Sequence, residues 1–170
     1  MIKPKNKVPN ISLPLVNDTE WHLEAQNNQV FTLLVFYRGL HCPICKSYLE
    51  SLSKKLEEFK KRDVNLIAIS CDTEKRAKQS HEEWDVAGLP IGYGLSIDDA
   101  KKWGLHISHA ISDKEPDAFS EPGLFLVKPD KTLYAGAIQT MPFARPNWSD
   151  ILNAIDYVTE HDYPARGGVE

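Results

Sequence analysis

Four stretches of the chain carry apolar residues almost without interruption. Phe31-Thr-Leu-Leu-Val-Phe-Tyr37 and Val64-Asn-Leu-Ile-Ala-Ile-Ser70 are β-branched and aromatic runs of strand length. Such runs suit strands covered on both faces of a parallel sheet. Gly123-Leu-Phe-Leu-Val-Lys128 and Thr132-Leu-Tyr-Ala-Gly-Ala-Ile138 are the third and fourth, and the short link Pro129-Asp-Lys131 makes them an antiparallel hairpin. Ile11-Ser-Leu-Pro-Leu-Val16 alternates but contains Pro14, which restricts it to an edge strand.

Between the first two strands the period changes. Cys45, Leu49, Leu52, Leu56 and Phe59 recur at steps of four and three, which predicts one buried helical stripe on a helix of about 15–20 residues. The charged run Ser53–Arg62 fills the opposite, solvated face. Strand, helix and strand together make a right-handed βαβ unit. Further helices are expected over Glu74–Val86 and Ile97–Trp103, and a last one carries Trp148, Ile151, Leu152, Ile155 and Val158 on one face. Leu105–Glu121 is polar and aperiodic and reads as a long loop. Residues 1–10, rich in Lys, Pro and Asn, read as a loosely attached arm, 11–160 as the domain and 161–170 as a tail.

Composition narrows the function. At 170 residues and 19.3 kDa, with 42% hydrophobic and 26% charged residues, the chain has material for one folded domain. Its net charge of −4 argues against nucleic acid or an anionic membrane as a partner. The longest apolar run, Val30–Tyr37, is too short to span a bilayer, and the Lys-rich start lacks a secretory apolar region, so a cytoplasmic location is expected.

The chemistry concentrates in Tyr37-Arg-Gly-Leu-His-Cys-Pro-Ile-Cys45, where a strand leads into a helix. Cys42 falls at the N-cap with Pro43 just inside the helix. Free N–H groups and the helix dipole favour a thiolate there, and Arg38 and His41 are placed to add positive charge. The reading that follows makes Cys42 the exposed nucleophile with a lowered pKa. Cys45, heading the apolar stripe, becomes the buried partner that resolves a mixed disulfide. Two plainer readings of the pair compete with it: structural core cysteines, or half of a zinc site. With no second C-x-x-C no metal or other cofactor is expected. Cys71, after the strand Val64–Ser70, reads as a half-buried spectator, and Trp84, Trp103 and Trp148 read as core.

Several motifs together resemble the peroxiredoxin superfamily of alkyl hydroperoxide reductases and thiol-specific antioxidant proteins. Phe36-Tyr37 precedes Cys45 by eight residues, an amphipathic helix and the strand Leu66–Ser70 follow, and Gly123-Leu-Phe-Leu-Val-Lys-Pro-Asp-Lys131 is similar to that family's G-L-F hairpin. The resemblance runs from about Val8 to Val158. It implies an α/β thioredoxin fold, a central mixed β-sheet flanked by helices, with N-terminal additions. It also places the family's peroxidatic cysteine on Cys45, its Thr on Cys42, its Pro on Arg38 and its active-site Arg on Pro122. What replaces them is thioredoxin-like: Cys42 and Cys45 make a C-x-x-C, and Pro122 stands where thioredoxins carry a cis-proline that leaves neighbouring backbone groups free for a substrate strand, a combination that resembles the peroxiredoxin-like subgroup with a thioredoxin-type C-x-x-C. Arg145, just before the last helix, stands where many peroxiredoxins bring an Arg to the active site. The leading expectation is therefore a thiol–disulfide oxidoreductase working through Cys42 and Cys45 on a disulfide-bearing protein, drawing on a thioredoxin- or glutathione-type reductant. The alternatives are a thiol peroxidase reducing hydrogen peroxide or alkyl hydroperoxides at Cys45, and a non-catalytic redox-sensing binding module.

Overall fold

The computed structural model describes residues 1–27 and 30–169. Among the described residues nine strands and five α-helices follow one another: β1 (Ser12–Pro14), β2 (Glu20–His22), β3 (Phe31–Phe36), α1 (Pro43–Ser53), α2 (Leu56–Lys61), β4 (Val64–Ile69), α3 (Glu74–Glu83), β5 (Ile91–Gly92), α4 (Ile97–Lys102), β6 (Ile107–His109), β7 (Ala118–Ser120), β8 (Gly123–Val127), β9 (Leu133–Ile138) and α5 (Trp148–His161). Five strands form the central sheet in the order β5-β4-β3-β8-β9. Strands β3, β4 and β5 run parallel, whereas β8 is antiparallel to β3 and β9 to β8, so the sheet is mixed.

The uninterrupted apolar run of β3 has a direct cause. It is the middle strand, all six of its residues are buried, and successive side chains enter different cores. Leu33 and Val35 pack with Leu49, Leu52, Phe59, Trp148 and Ile155 from α1, α2 and α5. Leu34 and Phe36 pack on the other face with Leu13, Trp21, Trp103 and Phe125. In register, Phe36 faces Ile69 on one side and Gly123 on the other. The loop that leaves Phe36 therefore starts at the carboxyl end of the most central strand. Among the described residues, no helix is long and apolar enough to cross a membrane.

Two elements differ from the sequence reading, the long helix and the long loop. The helix expected from Cys45 through Phe59 is two helices. At the break the Lys55 N–H bonds the Leu52 carbonyl, a tightened turn, before Phe59 resumes α-helical bonding to Lys55. This re-aims the stripe so that Phe59 sits edge-on to Trp148, with ring centres 6.3 Å apart. The supposed loop Leu105–Glu121 contains a hairpin pairing Ile107–His109 with Ala118–Ser120. Its strands are three residues long, too short for a period to be visible. The alternating segment around Pro14 pairs with β2 in a separate two-stranded sheet and touches the central one through the bridge from Leu15 to Gly92. The N-terminal arm lies along the β8–β9 turn: Lys5 N–H bonds the Leu133 carbonyl, Leu133 N–H bonds Asn6, and Val8 N–H bonds Lys131.

Candidate active site

The loop from Tyr37 to Cys42 is bent by a buried carboxylate. Gly39 has φ +132°, and a Cβ there would come within 2.6 Å of Asp72 Oδ1, so this backbone path needs glycine. Asp72 accepts the Leu40 N–H at 2.8 Å and Arg76 Nε at 3.0 Å. The turn closes with Cys42 N–H on the Gly39 carbonyl, and Cys42 becomes the N-cap of α1 with Pro43 in the first turn. Its sulfur accepts the Cys45 N–H at 3.1 Å. The N-cap role read from sequence is thus present, but Cys42 is buried, and so is Cys45. All three cysteines are free thiols.

The positive charge beside the pair comes from one residue. Arg145 donates from Nη2 to Cys45 Sγ at 2.9 Å. It arrives from the segment between β9 and α5, where Ala144 takes a left-handed conformation with φ +60°. Its guanidinium lies over the ring of Tyr48 at 4.7 Å. Tyr48 in turn stacks on Trp148 with centres 4.2 Å apart, donates its hydroxyl to the Pro146 carbonyl at 2.6 Å, and offers its own carbonyl to Trp148 Nε1 at 3.1 Å. Nε and Nη1 of Arg145 are buried and unpartnered among the described residues.

Burial resists a charge on Cys45, but three influences outweigh it: the hydrogen bond with the Cys42 thiol, the charge and hydrogen bond of Arg145, and a backbone hydrogen bond from Arg38. Cys45 is brought down to about 7. Cys42 moves the opposite way: hydrogen bonding to Cys45, burial and repulsion by a Cys45 thiolate all push its pKa up. The hydrogen bond between them thus favours the thiolate on Cys45 and the proton on Cys42. This is the reverse of the order expected from the helix N-terminus.

The reason lies in where Arg38 and His41 point. Arg38 Nε is 3.3 Å from Glu121 Oε2, its Nη2 is 3.8 Å from Glu115 Oε1, and it covers the Phe119 ring at 4.9 Å. His41 packs edge-on against the same Phe119 at 4.6 Å, and burial followed by the charge of Arg38 lowers its pKa, so it is neutral at pH 7. Neither residue supplies charge to Cys42.

The thioredoxin-like expectation for Pro122 is also corrected. Among the described residues there is no cis peptide bond. The backbone around it is already used: Glu121 N–H bonds His106 and the Pro122 carbonyl accepts Gln139 N–H, both as sheet extensions. Pro122 instead lines a small cavity with Tyr48, Gln139 and Arg145. Cys71 hydrogen-bonds to Ser120 and is pushed up by burial, away from the pair. No group of three or more His, Cys, Asp or Glu side chains among the described residues is arranged to hold a metal.

Of the residues singled out in the sequence, the structure brings Cys42, Pro43, Cys45 and Arg145 together, and beside them stand Tyr48, Asp72, Glu115 and Glu121, which the sequence analysis did not single out. Tyr48 alone left a signal, since a residue three positions after Cys45 shares its helix face. The carboxylates come from distant segments that no spacing connects.

Comparison with known proteins agrees with this architecture. A profile described as the AhpC/TSA family matches residues 4–135. The 1-Cys peroxiredoxin PER1 of Arabidopsis thaliana is 27% identical over 157 residues, covering 88% of this chain and 68% of that protein. The 1-Cys peroxiredoxin of Onchocerca volvulus is 29% identical over 131 residues, covering 67% of this chain and 54% of that protein. This chain therefore spans about half to two thirds of the length of those relatives. The structure of Peroxiredoxin 6 from Arenicola marina superposes with a TM-score of 0.79 at 22% identity, over 95% of this chain and 76% of that one. Peroxidoxin BcpB from Mycobacterium tuberculosis superposes with a TM-score of 0.73 at 17% identity, over 91% and 96%. With the mixed sheet, the cysteine after its central strand and a family match across most of its length, this chain belongs to the AhpC/TSA family, within the peroxiredoxin-like superfamily.

Proposed function

We propose that the protein is a dithiol peroxidase in which Cys45 reacts with peroxide and Cys42 resolves the product. The observation that carries this reading is the guanidinium of Arg145 on Cys45 Sγ, with Nε and Nη1 still unused. A thiolate near pH 7 needs a cation that survives burial, and arginine keeps its charge there.

The Cys45 thiolate attacks the terminal oxygen of a hydroperoxide, the S–O bond forms and the O–O bond breaks. Cys45 becomes a sulfenic acid and the departing alkoxide or hydroxide takes a proton to leave as alcohol or water. The Nε and Nη1 N–H groups of Arg145, which have no partner among the described residues, suit the negative charge that grows on the departing oxygen. The Cys42 sulfur then attacks Cys45 Sγ, the S–S bond forms, and hydroxide leaves as water. One external dithiol of thioredoxin type, or two glutathione-type monothiols, supply the two electrons that restore both thiols and are themselves oxidised to a disulfide.

Cys42 serves twice. It stands where the resembling family has Thr, and in the reduced state its thiol hydrogen-bonds the Cys45 sulfur as a hydroxyl would. After oxidation it is already one helical turn away, so the disulfide closes without unwinding α1. The disulfide-reductase reading draws less support. It needs an exposed Cys42 thiolate and free backbone beside Pro122, whereas Cys42 is buried and protonated and that backbone is bonded.

Titration with hydrogen peroxide of two single variants tests the proposal. Cys45→Ser is expected to consume none. Cys42→Ser is expected to consume about one equivalent and stop as a sulfenic acid that dimedone captures. Peroxide consumption by Cys45→Ser with none by Cys42→Ser would reverse the assignment.

A further inference from the structure

Arg145 has no carboxylate partner among the described residues, yet three things fix its position. The first is the left-handed turn at Ala144. The second is the Cys45 sulfur. The third is Tyr48, whose half-buried ring is held by three contacts: Arg145 over the ring at 4.7 Å, Trp148 stacked at 4.2 Å, and the hydroxyl on the carbonyl of Pro146, the residue that follows Arg145. Tyr48 lies three residues after Cys45, so it rises from the same face of α1 as the sulfur it serves.

A ring and a carboxylate would do different work in this position. A carboxylate would hold the guanidinium firmly, but its own charge would cancel most of the potential that Arg145 projects onto a sulfur 2.9 Å away. The face of an aromatic ring attracts a cation through its quadrupole and carries no net charge. We propose that Tyr48 is a positioning residue for the peroxide reaction: its ring face holds Arg145 against the Cys45 sulfur without neutralising it. The inference rests on Cys45 being the thiol that meets peroxide. The other groups that face Cys45 are Cys42 at the N-cap, the Arg38 backbone and the buried Tyr37 hydroxyl at the end of β3. None of them is altered by a change confined to the ring of Tyr48.

The test replaces Tyr48 with phenylalanine and then with mono-, di- and trifluorinated phenylalanines in the full-length reduced protein. Fluorine drains the ring face of negative charge while barely changing its size. Thiolate absorbance against pH and the second-order rate with hydrogen peroxide are read for each variant, with thermal melting as the check on folding. Tyr48→Phe should keep the titration midpoint, although loss of the bond to Pro146 lowers the melting temperature. Along the fluorinated series the midpoint should climb stepwise by about one unit in all, a tenfold loss of thiolate below pH 7, and the rate at pH 6 should fall with it. A flat midpoint and a flat rate across the series would overturn the role of Tyr48. That result is separate from failure of the peroxidase reading itself, which would appear as peroxide consumption surviving Cys45→Ser.

Discussion

Two arginines lie near the start of α1, and only one brings the charge of its guanidinium to the sulfurs. Arg145 comes from the β9–α5 segment, rests on the uncharged ring of Tyr48, and donates to Cys45. Arg38 comes from the loop after β3, also covers an aromatic ring, Phe119, but is flanked by Glu121 and Glu115. Its charge is spent on fastening the β6–β7 hairpin to the active-site loop. Sequence proximity favours Arg38, which lies four residues before Cys42, whereas the distant Arg145 is the one that acts. What a buried cation does to a thiol depends less on its distance along the chain than on whether a carboxylate already holds it.

Removing each arginine's function should break this comparison in different ways. Arg145→Gln is expected to cost the most activity, about 100-fold in the rate with hydrogen peroxide, the scale of losing one preorganised donor to a developing charge. Its thiolate titration should also shift upward, and the melting temperature should change little. Stopped-flow oxidation of the reduced variant measures both activity and midpoint.

Wild-type activity should follow the ionisation of Cys45. The peroxide rate should rise about tenfold from pH 6 to a plateau above pH 8, with a midpoint at about 7. Stability is linked with the same sign. The folded pKa of Cys45 lies below that of an unfolded thiol, so its contribution is complete above about pH 9 and fades as pH falls through 7. A denaturant series on the reduced protein from pH 9 to pH 6 should show the decline, and Cys45→Ser should remove it.

The Arg38 side should respond in stability instead. Glu121→Gln leaves Arg38 with the more distant Glu115 and is expected to destabilise the fold by about 2 kcal/mol. Glu121 also accepts the Ser108 hydroxyl at 2.7 Å, a bond that Gln can keep. The peroxide rate per folded molecule should stay within about twofold of wild type. A shift of the Cys45 titration in this variant would mean that the two arginines are not independent.

How much of this was legible in the sequence follows from how local each cause is. The strand β3 and the hairpin β8–β9 announce themselves because a strand covered on both faces must be apolar throughout, and because Pro129-Asp130-Lys131 leaves room only for a turn. Cys42 as N-cap followed by Pro43 is equally local. The polarity of the pair is not. It depends on Arg145, one hundred residues beyond Cys45, and on two glutamates that draw Arg38 aside. The pairing of β6 with β7 and the trans backbone at Pro122 are likewise set by partners across the sheet.

The smallest expected effect concerns the backbone that delivers Arg145. Ala144 is left-handed at φ +60°, a conformation that costs a residue with a Cβ about 1 kcal/mol. Ala144→Gly relieves that cost but loosens the unfolded chain, so stability should change by less than about 1 kcal/mol. The titration of Cys45 should hold as long as Tyr48 keeps Arg145 in place.

The central claim is that the low-pKa thiol is Cys45 and not the N-cap Cys42. Thiolate absorbance at 240 nm, titrated from pH 5 to 10 in wild type, Cys42→Ser and Cys45→Ser, tests it directly. The transition near 7 should be present in wild type and survive in Cys42→Ser, and it should vanish in Cys45→Ser. A transition near 7 that persists in Cys45→Ser and disappears in Cys42→Ser would contradict the account.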